Sequence, residues 1–149
     1  SKRPPLDRVN AMLSFLYTIF TREYAAALES VGLDSYMGFY HSLRPGRESL
    51  ACDLVEEGRC IVERFVLTLI NLKIIKPEDF DVQVSGAVFL NDDGRKKVLS
   101  KWQEKKRTDM IHPYLKEKIP MGLLPYVQSM LLAKFVRGEI DEYPCYLVK

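Results

Sequence analysis

An imidazole at His41 and carboxylates at Asp53 and Glu56 are the groups in this sequence best spaced to do chemistry together. Asp53 and Glu56 stand three residues apart, so on a helix their side chains share one face, about one turn apart. Two carboxylates that close repel each other unless a cation sits between them, and hard oxygen donors suit Mg2+ or Mn2+. The same spacing also describes a solvated acidic face, eased by Arg59 at i+3 from Glu56, which is the commoner use of charge runs on helices. His41 precedes Asp53 by twelve residues, across a segment long enough to fold back on the carboxylates. As a third donor its imidazole favours Mn2+ somewhat. On its own it reads as a surface or capping histidine.

Basic residues accompany these groups. Arg44 and Arg47 flank the Pro45-Gly46 turn beside His41. Lys97, Lys101 and Lys105 recur at i, i+4, i+8, with Lys96, Lys106 and Arg107 adjacent. A phosphate-backbone track needs such a stripe, and a solubilising helix face has the same pattern. His112-Pro113 has no metal partner at HExxH or similar spacing and reads as a turn histidine. Cys52, Cys60 and Cys145 are odd in number and contain no CxxC pair, which argues against a zinc ribbon or a disulfide framework and for a reducing cytosol. There is no Gly-rich phosphate loop and no GxSxG motif, so nucleotide hydrolysis and serine esterase chemistry have no support.

Helices must position these groups. Asp7 follows Pro4-Pro5 as a good N-cap. Val9, Leu13, Leu16 and Phe20 follow at helical spacing, widened by Met12, Ile19, Ala27 and Leu28, and Gly32 is the stop, which predicts a helix over 7–31. Asp34 caps a short second helix through Tyr36, Met37 and Phe39 that ends near His41, and residues 42–47 form a turn-rich basic loop. Leu50, Leu54, Ile61, Phe65 and Leu69, joined by Ala51, Val55, Val62 and Val66, predict one third helix over 48–73 with Asp53, Glu56, Glu57 and Cys60 together on its other side. Lys76 to Asp79 is a turn, and Val82, Val84, Ser85-Gly86, Val88 and Leu90 predict a small hairpin. Asn91 to Gly94 opens a fourth helix over 92–109, with Val98, Leu99 and Trp102 inward and lysines outward. His112-Pro113 breaks the chain. A last helix over 122–137 carries Leu123, Leu124, Val127, Leu131 and Phe135, with Pro125 in its first turn or kinking it, and Gly138 as the stop. The tail at Tyr143-Pro144-Cys145 has little structure of its own. The fold class is mainly α: a compact multi-helix domain with one small β-hairpin near residues 82–90.

The bulk properties frame this reading. The 149 residues fit one domain with a real core, and 47% hydrophobic with 28% charged residues excludes disorder. Lys plus Arg number 22 against 20 Asp plus Glu, so net charge favours no polyanion and local clusters must decide. No apolar run approaches the roughly 18 residues of a membrane span, and no signal peptide is visible. Ser1-Lys2-Arg3-Pro4-Pro5 reads as a linker. The expectation is that residues 1–6 are an interdomain linker leading in from a further N-terminal domain and that 7–149 form the helical domain.

The order of the pieces is itself informative. Arg3-Pro4-Pro5-Leu6-Asp7-Arg8-Val9-Asn10 is followed by Val31-Gly32-Leu33-Asp34, Gly38-Phe39-Tyr40-His41, Arg44-Pro45-Gly46-Arg47 and Ser49-Leu50-Ala51-Cys52-Asp53-Leu54-Val55-Glu56-Glu57. Leu90-Asn91-Asp92-Asp93-Gly94-Arg95-Lys96, His112-Pro113 and Arg137-Gly138-Glu139 come later. Over essentially its whole length the chain resembles the helical domain of the CRISPR-associated endonuclease that acts as the spacer-acquisition integrase. The resemblance implies a metal-dependent DNA nuclease and transesterase that joins the 3′-hydroxyl ends of short foreign DNA to a CRISPR array. It implies that His41 is the family's metal-binding histidine, that Asp53 and Glu56 are its acidic pair with Glu56 the direct ligand, and that Arg44 contacts DNA phosphate. Mg2+ or Mn2+ is the implied cofactor. The implied partners are double-stranded DNA (spacer precursor and array), the smaller CRISPR adaptation protein and, in the full-length protein, a second copy. No membrane partner is expected, and the implied compartment is the prokaryotic cytoplasm. The family's first metal-binding glutamate lies in a Gly-x-Glu-Gly helix upstream of the Arg3-Pro4-Pro5-Leu6-Asp7 segment, so this stretch alone is expected to be a weak catalyst or none. From another class, a metal-free helical protein-interaction or DNA-binding module remains the alternative.

Overall fold

The computed structural model describes residues 7–33 and 49–146. Helix α1 spans Arg8–Ser30. Its start is fixed by Asp7, whose Oδ1 accepts the Asn10 N–H at 2.8 Å, satisfying a donor the helix itself cannot. Its end is fixed by Gly32 at φ +86°, where the Leu33 N–H turns back to Leu28 O at 2.9 Å. Met12, Leu16, Phe20, Tyr24 and Leu28 recur every four residues and are all buried, while Val9 at the first turn is exposed.

The expected single helix over 48–73 is instead two, α2 at Ser49–Glu57 and α3 at Arg59–Asn71. The break falls at Gly58, whose N–H bonds Val55 O at 3.0 Å, a tighter i→i−3 closure than the helix uses. A Cβ there would lie 2.8 Å from Phe20 Cε2, so the close approach of this backbone to the buried ring requires glycine. Apolar periodicity continues through the break and so conceals it.

The chain clusters into two compact units, one drawn from Ser1–Thr18 and Cys60–Lys105, the other from Ile19–Arg59 and Lys106–Lys149. In the first, strands β1 (Phe80–Val82) and β2 (Val88–Leu90) form the expected hairpin, antiparallel with Phe80 opposite Leu90. Helix α4 then covers Asp92–Lys106. Asn91 caps it: its Oδ1 accepts the Gly94 N–H at 2.9 Å, while its Nδ2 donates to Glu78 O at 2.8 Å. Phe65 of α3 meets Trp102 of α4 edge-on, ring centroids 5.1 Å apart. Val98 and Trp102, four apart, define the inward line of α4; Leu99 lies about 100° around the helix from Val98 and is 37% exposed rather than inward.

In the second unit, residues 109–120 form a further hairpin that apolar patterning does not announce, because each strand has only three residues. Strand β3 (Asp109–Ile111) pairs antiparallel with β4 (Lys118–Pro120). Helix α5 spans Leu124–Val136, with Pro125 in its first turn and Gly138 at φ +77° beyond its end. Ile119, Val127 and Leu131 form a buried cluster against which Met110, Leu115, Ile140 and Tyr143 pack. The architecture is mainly helical with the expected small hairpin, and the hairpin of β3 and β4 is an addition to it. Among the described residues, no helix is long and apolar enough to cross a membrane.

Candidate metal and nucleic-acid site

Helix α2 carries the candidate carboxylates, and its packing sorts them. Asp53 and Glu57, four apart, each keep only 9% exposure, whereas the Glu56 side chain is 61% exposed with its Oε1 3.6 Å from Arg59 Nη1. The expected shared face of Asp53, Glu56, Glu57 and Cys60 is therefore divided. With α2 ending at Gly58, its buried line is Ala51, Leu54 and Val55, and Asp53 and Glu57 lie inward beside it.

Glu57 is engaged there through Oε1. Its Oε1 accepts the Tyr143 hydroxyl at 2.8 Å, the Tyr146 N–H at 2.7 Å and, more distantly, Gln128 Nε2 at 3.4 Å. The Gln128 amide, fully buried, also donates to Tyr143 Oη at 2.8 Å and Pro144 O at 3.1 Å. Its orientation is fixed from the far side by His112. The Nδ1 of His112 accepts two backbone N–H groups, of Tyr114 and Leu115, each at 3.1 Å, so the ring hydrogen sits on Nε2 and donates to Gln128 Oε1 at 2.6 Å. Burial, with Glu57 beside it, raises the Tyr143 phenol far above its ordinary range. Burial likewise raises that of Tyr24, with Glu57, Tyr146 and Glu23 adding to the effect. The turn histidine is thus one end of a buried polar chain: His112, Gln128, Tyr143, Glu57.

Two adjacent glutamates consequently have opposite chemistry. Glu57 spends its charge on internal donors, and Glu56 offers its own to the surface. Asp53 and Glu56 supply hard oxygen donors one turn apart, the donor type Mg2+ or Mn2+ requires. Among the described residues, no three His, Cys, Asp or Glu gather closely enough to hold a metal ion. His41, the expected third donor, lies outside the described residues, as do Arg44, Arg47 and the short helix expected before them.

The lysine stripe on α4 is partly occupied. Lys97 Nζ lies 3.0 Å from Oδ1 of the buried Asp79, and Lys101 Nζ lies 3.4 Å from Glu104 Oε2. Lys105 is exposed, and Lys106 bonds Glu23 at 2.7 Å. Lys97 accordingly has an internal duty that its spacing did not reveal. Sequence reasoning also missed Glu57, Gln128 and Tyr143. Glu57 lies 71, 86 and 89 residues before its donors Gln128, Tyr143 and Tyr146, beyond any local pattern.

With the geometry in hand, likeness to known proteins decides the family. The sequence profile described as CRISPR associated protein Cas1 matches residues 1–104, more than half of the chain. The chain belongs to the Cas1 family. A Cas1 relative, the CRISPR-associated endonuclease Cas1 2 of Rhodospirillum rubrum, is 51% identical over 150 residues, covering 100% of this chain and 44% of the relative. Among solved structures, a casposase bound to integration product superposes with a TM-score of 0.87 at 25% identity, over 98% of this chain and 42% of that one. A partial Cas6-RT-Cas1–Cas2 complex gives 0.78 at 25% identity, over 100% of this chain and 44% of that one. The chain thus spans less than half the length of these proteins. The Cas1 profile takes in α1, α2, α3, the first hairpin and most of α4; the second hairpin and α5 are covered by the alignment to the Rhodospirillum rubrum relative.

Proposed function

We propose that this chain is the helical catalytic part of a metal-dependent DNA endonuclease and integrase that inserts new spacers into CRISPR arrays. The observation that carries the reading is the 51% identity, along the whole chain, to a protein named as a CRISPR-associated endonuclease. His41, Asp53 and Glu56 would hold Mg2+ or Mn2+, with Glu56 the direct ligand among the acidic pair. When bound, such an ion neutralises charge on a scissile phosphate and on the attacking and leaving oxygens. The rest falls to the chain's own residues. Glu56 reaches solvent, where a phosphate can approach. Asp53 stands inward on the same helix and supports the site from behind. His41 is a ligand or a proton acceptor beside them.

Arg44 and Arg47, with Lys97, Lys101 and Lys105, would neutralise backbone phosphates of double-stranded DNA, so binding weakens steeply with salt. The smaller CRISPR adaptation protein and a second copy of the protein are the proposed protein partners, in the prokaryotic cytoplasm. The complex of a similar chain named Cas6-RT-Cas1–Cas2 supports the first of these.

The test is strand transfer of a short DNA duplex into an array-bearing plasmid by the natural protein that carries this chain. His41→Ala and Glu56→Ala should each fold normally and lose activity by several kcal/mol of transition-state stabilisation, on the order of a thousandfold. Normal integration by both variants would sink the catalytic reading and leave the metal-free module in its stead.

A further inference from the structure

We infer that Glu57 is a positioning residue for the metal site: its buried hydrogen bonds to Tyr143, Tyr146 and Gln128 fix the roll of α2 and thereby where Asp53 and Glu56 present their carboxylates. The inference rests on the metal site proposed above and concerns residues outside it.

The argument starts from what else could hold α2. The helix has nine residues, and Gly58 interrupts it before α3, so it cannot borrow orientation from a longer helix. Its buried line of Ala51, Leu54 and Val55 is small and aliphatic, and hydrophobic burial is non-directional. Such a face tolerates a roll about the helix axis. Hydrogen bonds do not, because they weaken steeply with angle. Glu57 Oε1 receives two short donors, at 2.7 and 2.8 Å, and one at 3.4 Å. Two of the three are themselves tied. Gln128 is held by His112, and the Tyr146 donor is backbone.

The sensitivity is large. A carboxylate oxygen about 6 Å from the axis moves about 2 Å for a roll of about 20°, since the Cα cylinder alone has a radius near 2.3 Å. Metal–ligand distances tolerate only about 0.2 Å. Glu57 neighbours Glu56 in sequence and lies one turn beyond Asp53 on the inward face, so any roll it prevents would act on both candidate ligands. Oε1 of Glu57 is taken up by three donors from the fold, so the role inferred for this residue acts through the helix.

The experiment follows Mn2+ binding by the loss of the free-ion electron paramagnetic resonance signal, without DNA, in the natural protein that carries this chain. Tyr143→Phe removes one donor and leaves the fold; Glu57→Gln removes the acceptor's charge. Each should raise the Mn2+ midpoint about tenfold, the scale of outer-shell changes at metal sites. Val98→Ala, a core truncation on α4, should lower the melting temperature and leave the Mn2+ midpoint where it was. If Tyr143→Phe and Glu57→Gln lose heat stability like Val98→Ala but keep the wild-type midpoint, Glu57 is merely structural and the inference falls. If Glu57→Gln does not fold, Tyr143→Phe decides alone. His41→Ala and Glu56→Ala separate the two layers. Should they also bind Mn2+ normally, the metal site itself is wrong; should they lose it while the Glu57 variants do not, only the positioning role is refuted.

Discussion

Gly94 sits in the first turn of α4, where helix propensity alone would have alanine stabilise by about 1 kcal/mol. The packing of Gly94 predicts the opposite sign. A Cβ there would stand 2.4 Å from Asp79 O, 2.9 Å from Leu90 Cδ2 and 3.1 Å from Asp79 Cβ. The carbonyl cannot step aside cheaply. It accepts the Asn91 N–H at 2.9 Å, and the Asp79 side chain is held by the Lys76 N–H at 2.9 Å and by Lys97. Relief requires α4 to move away from this turn. Overpacking of that kind costs about 1–3 kcal/mol, and loss of the Asn91 bond adds about 1. Subtracting the propensity gain leaves Gly94→Ala destabilised by about 1–3 kcal/mol. At about 2–4 °C per kcal/mol for a chain of this size, the melting temperature should fall roughly 2–12 °C. The assay is thermal unfolding by circular dichroism, with exposed Ser100→Ala on the same helix as the propensity control. If Gly94→Ala melts higher than wild type, as Ser100→Ala should, the steric reasoning is refuted.

Further expectations follow from the charges. Burial opposes ionisation of Asp79, but the Lys76 N–H and the Lys97 ammonium outweigh it and hold its carboxyl below the ordinary range. A carboxyl lowered on folding stabilises above the ordinary carboxylate range and loses that contribution as pH falls through the lowered value. Acid titration of the unfolding midpoint should therefore show a drop below about pH 4 that Asp79→Asn flattens; an unchanged profile would count against it. On the proposed DNA-binding surface, Lys101→Ala and Lys105→Ala should each lower the slope of log affinity against log salt by about 1 in a duplex-binding assay. Lys97→Ala differs, because it also leaves Asp79 short of a partner and should lower the melting temperature.

Much of this fold was legible in the sequence because its determinants are local. Asp7 and Gly32 bracket α1 within a residue of expectation, the Ser85-Gly86 turn marks the first hairpin, and Asn91 and Gly138 bound α4 and α5. The errors share one cause. The break at Gly58 depends on Phe20, the outward turn of Leu99 on the line through Val98 and Trp102, and the second hairpin on pairings of three-residue strands. Each is decided by a partner that periodicity cannot see. The candidate site divides likewise. Residue type and spacing nominate Asp53, Glu56 and the lysines. Only the fold separates Glu56 from Glu57, and only the fold shows Lys97 already bound to Asp79. His41, Arg44 and Arg47 lie outside the described residues and stand on the sequence alone.

The carboxylate of Glu57 also imposes an order on the chain's own history. Its donors come from residues 71, 86 and 89 positions later in the sequence. A ribosome working at about 5–20 residues per second therefore emits α2 several seconds before the groups that will receive its charge. Until Tyr143 and Tyr146 emerge, Glu57 must stay hydrated, and α2 cannot finish docking without stranding an ion in a greasy interior. A nascent or prematurely terminated chain therefore keeps its acidic helix unseated.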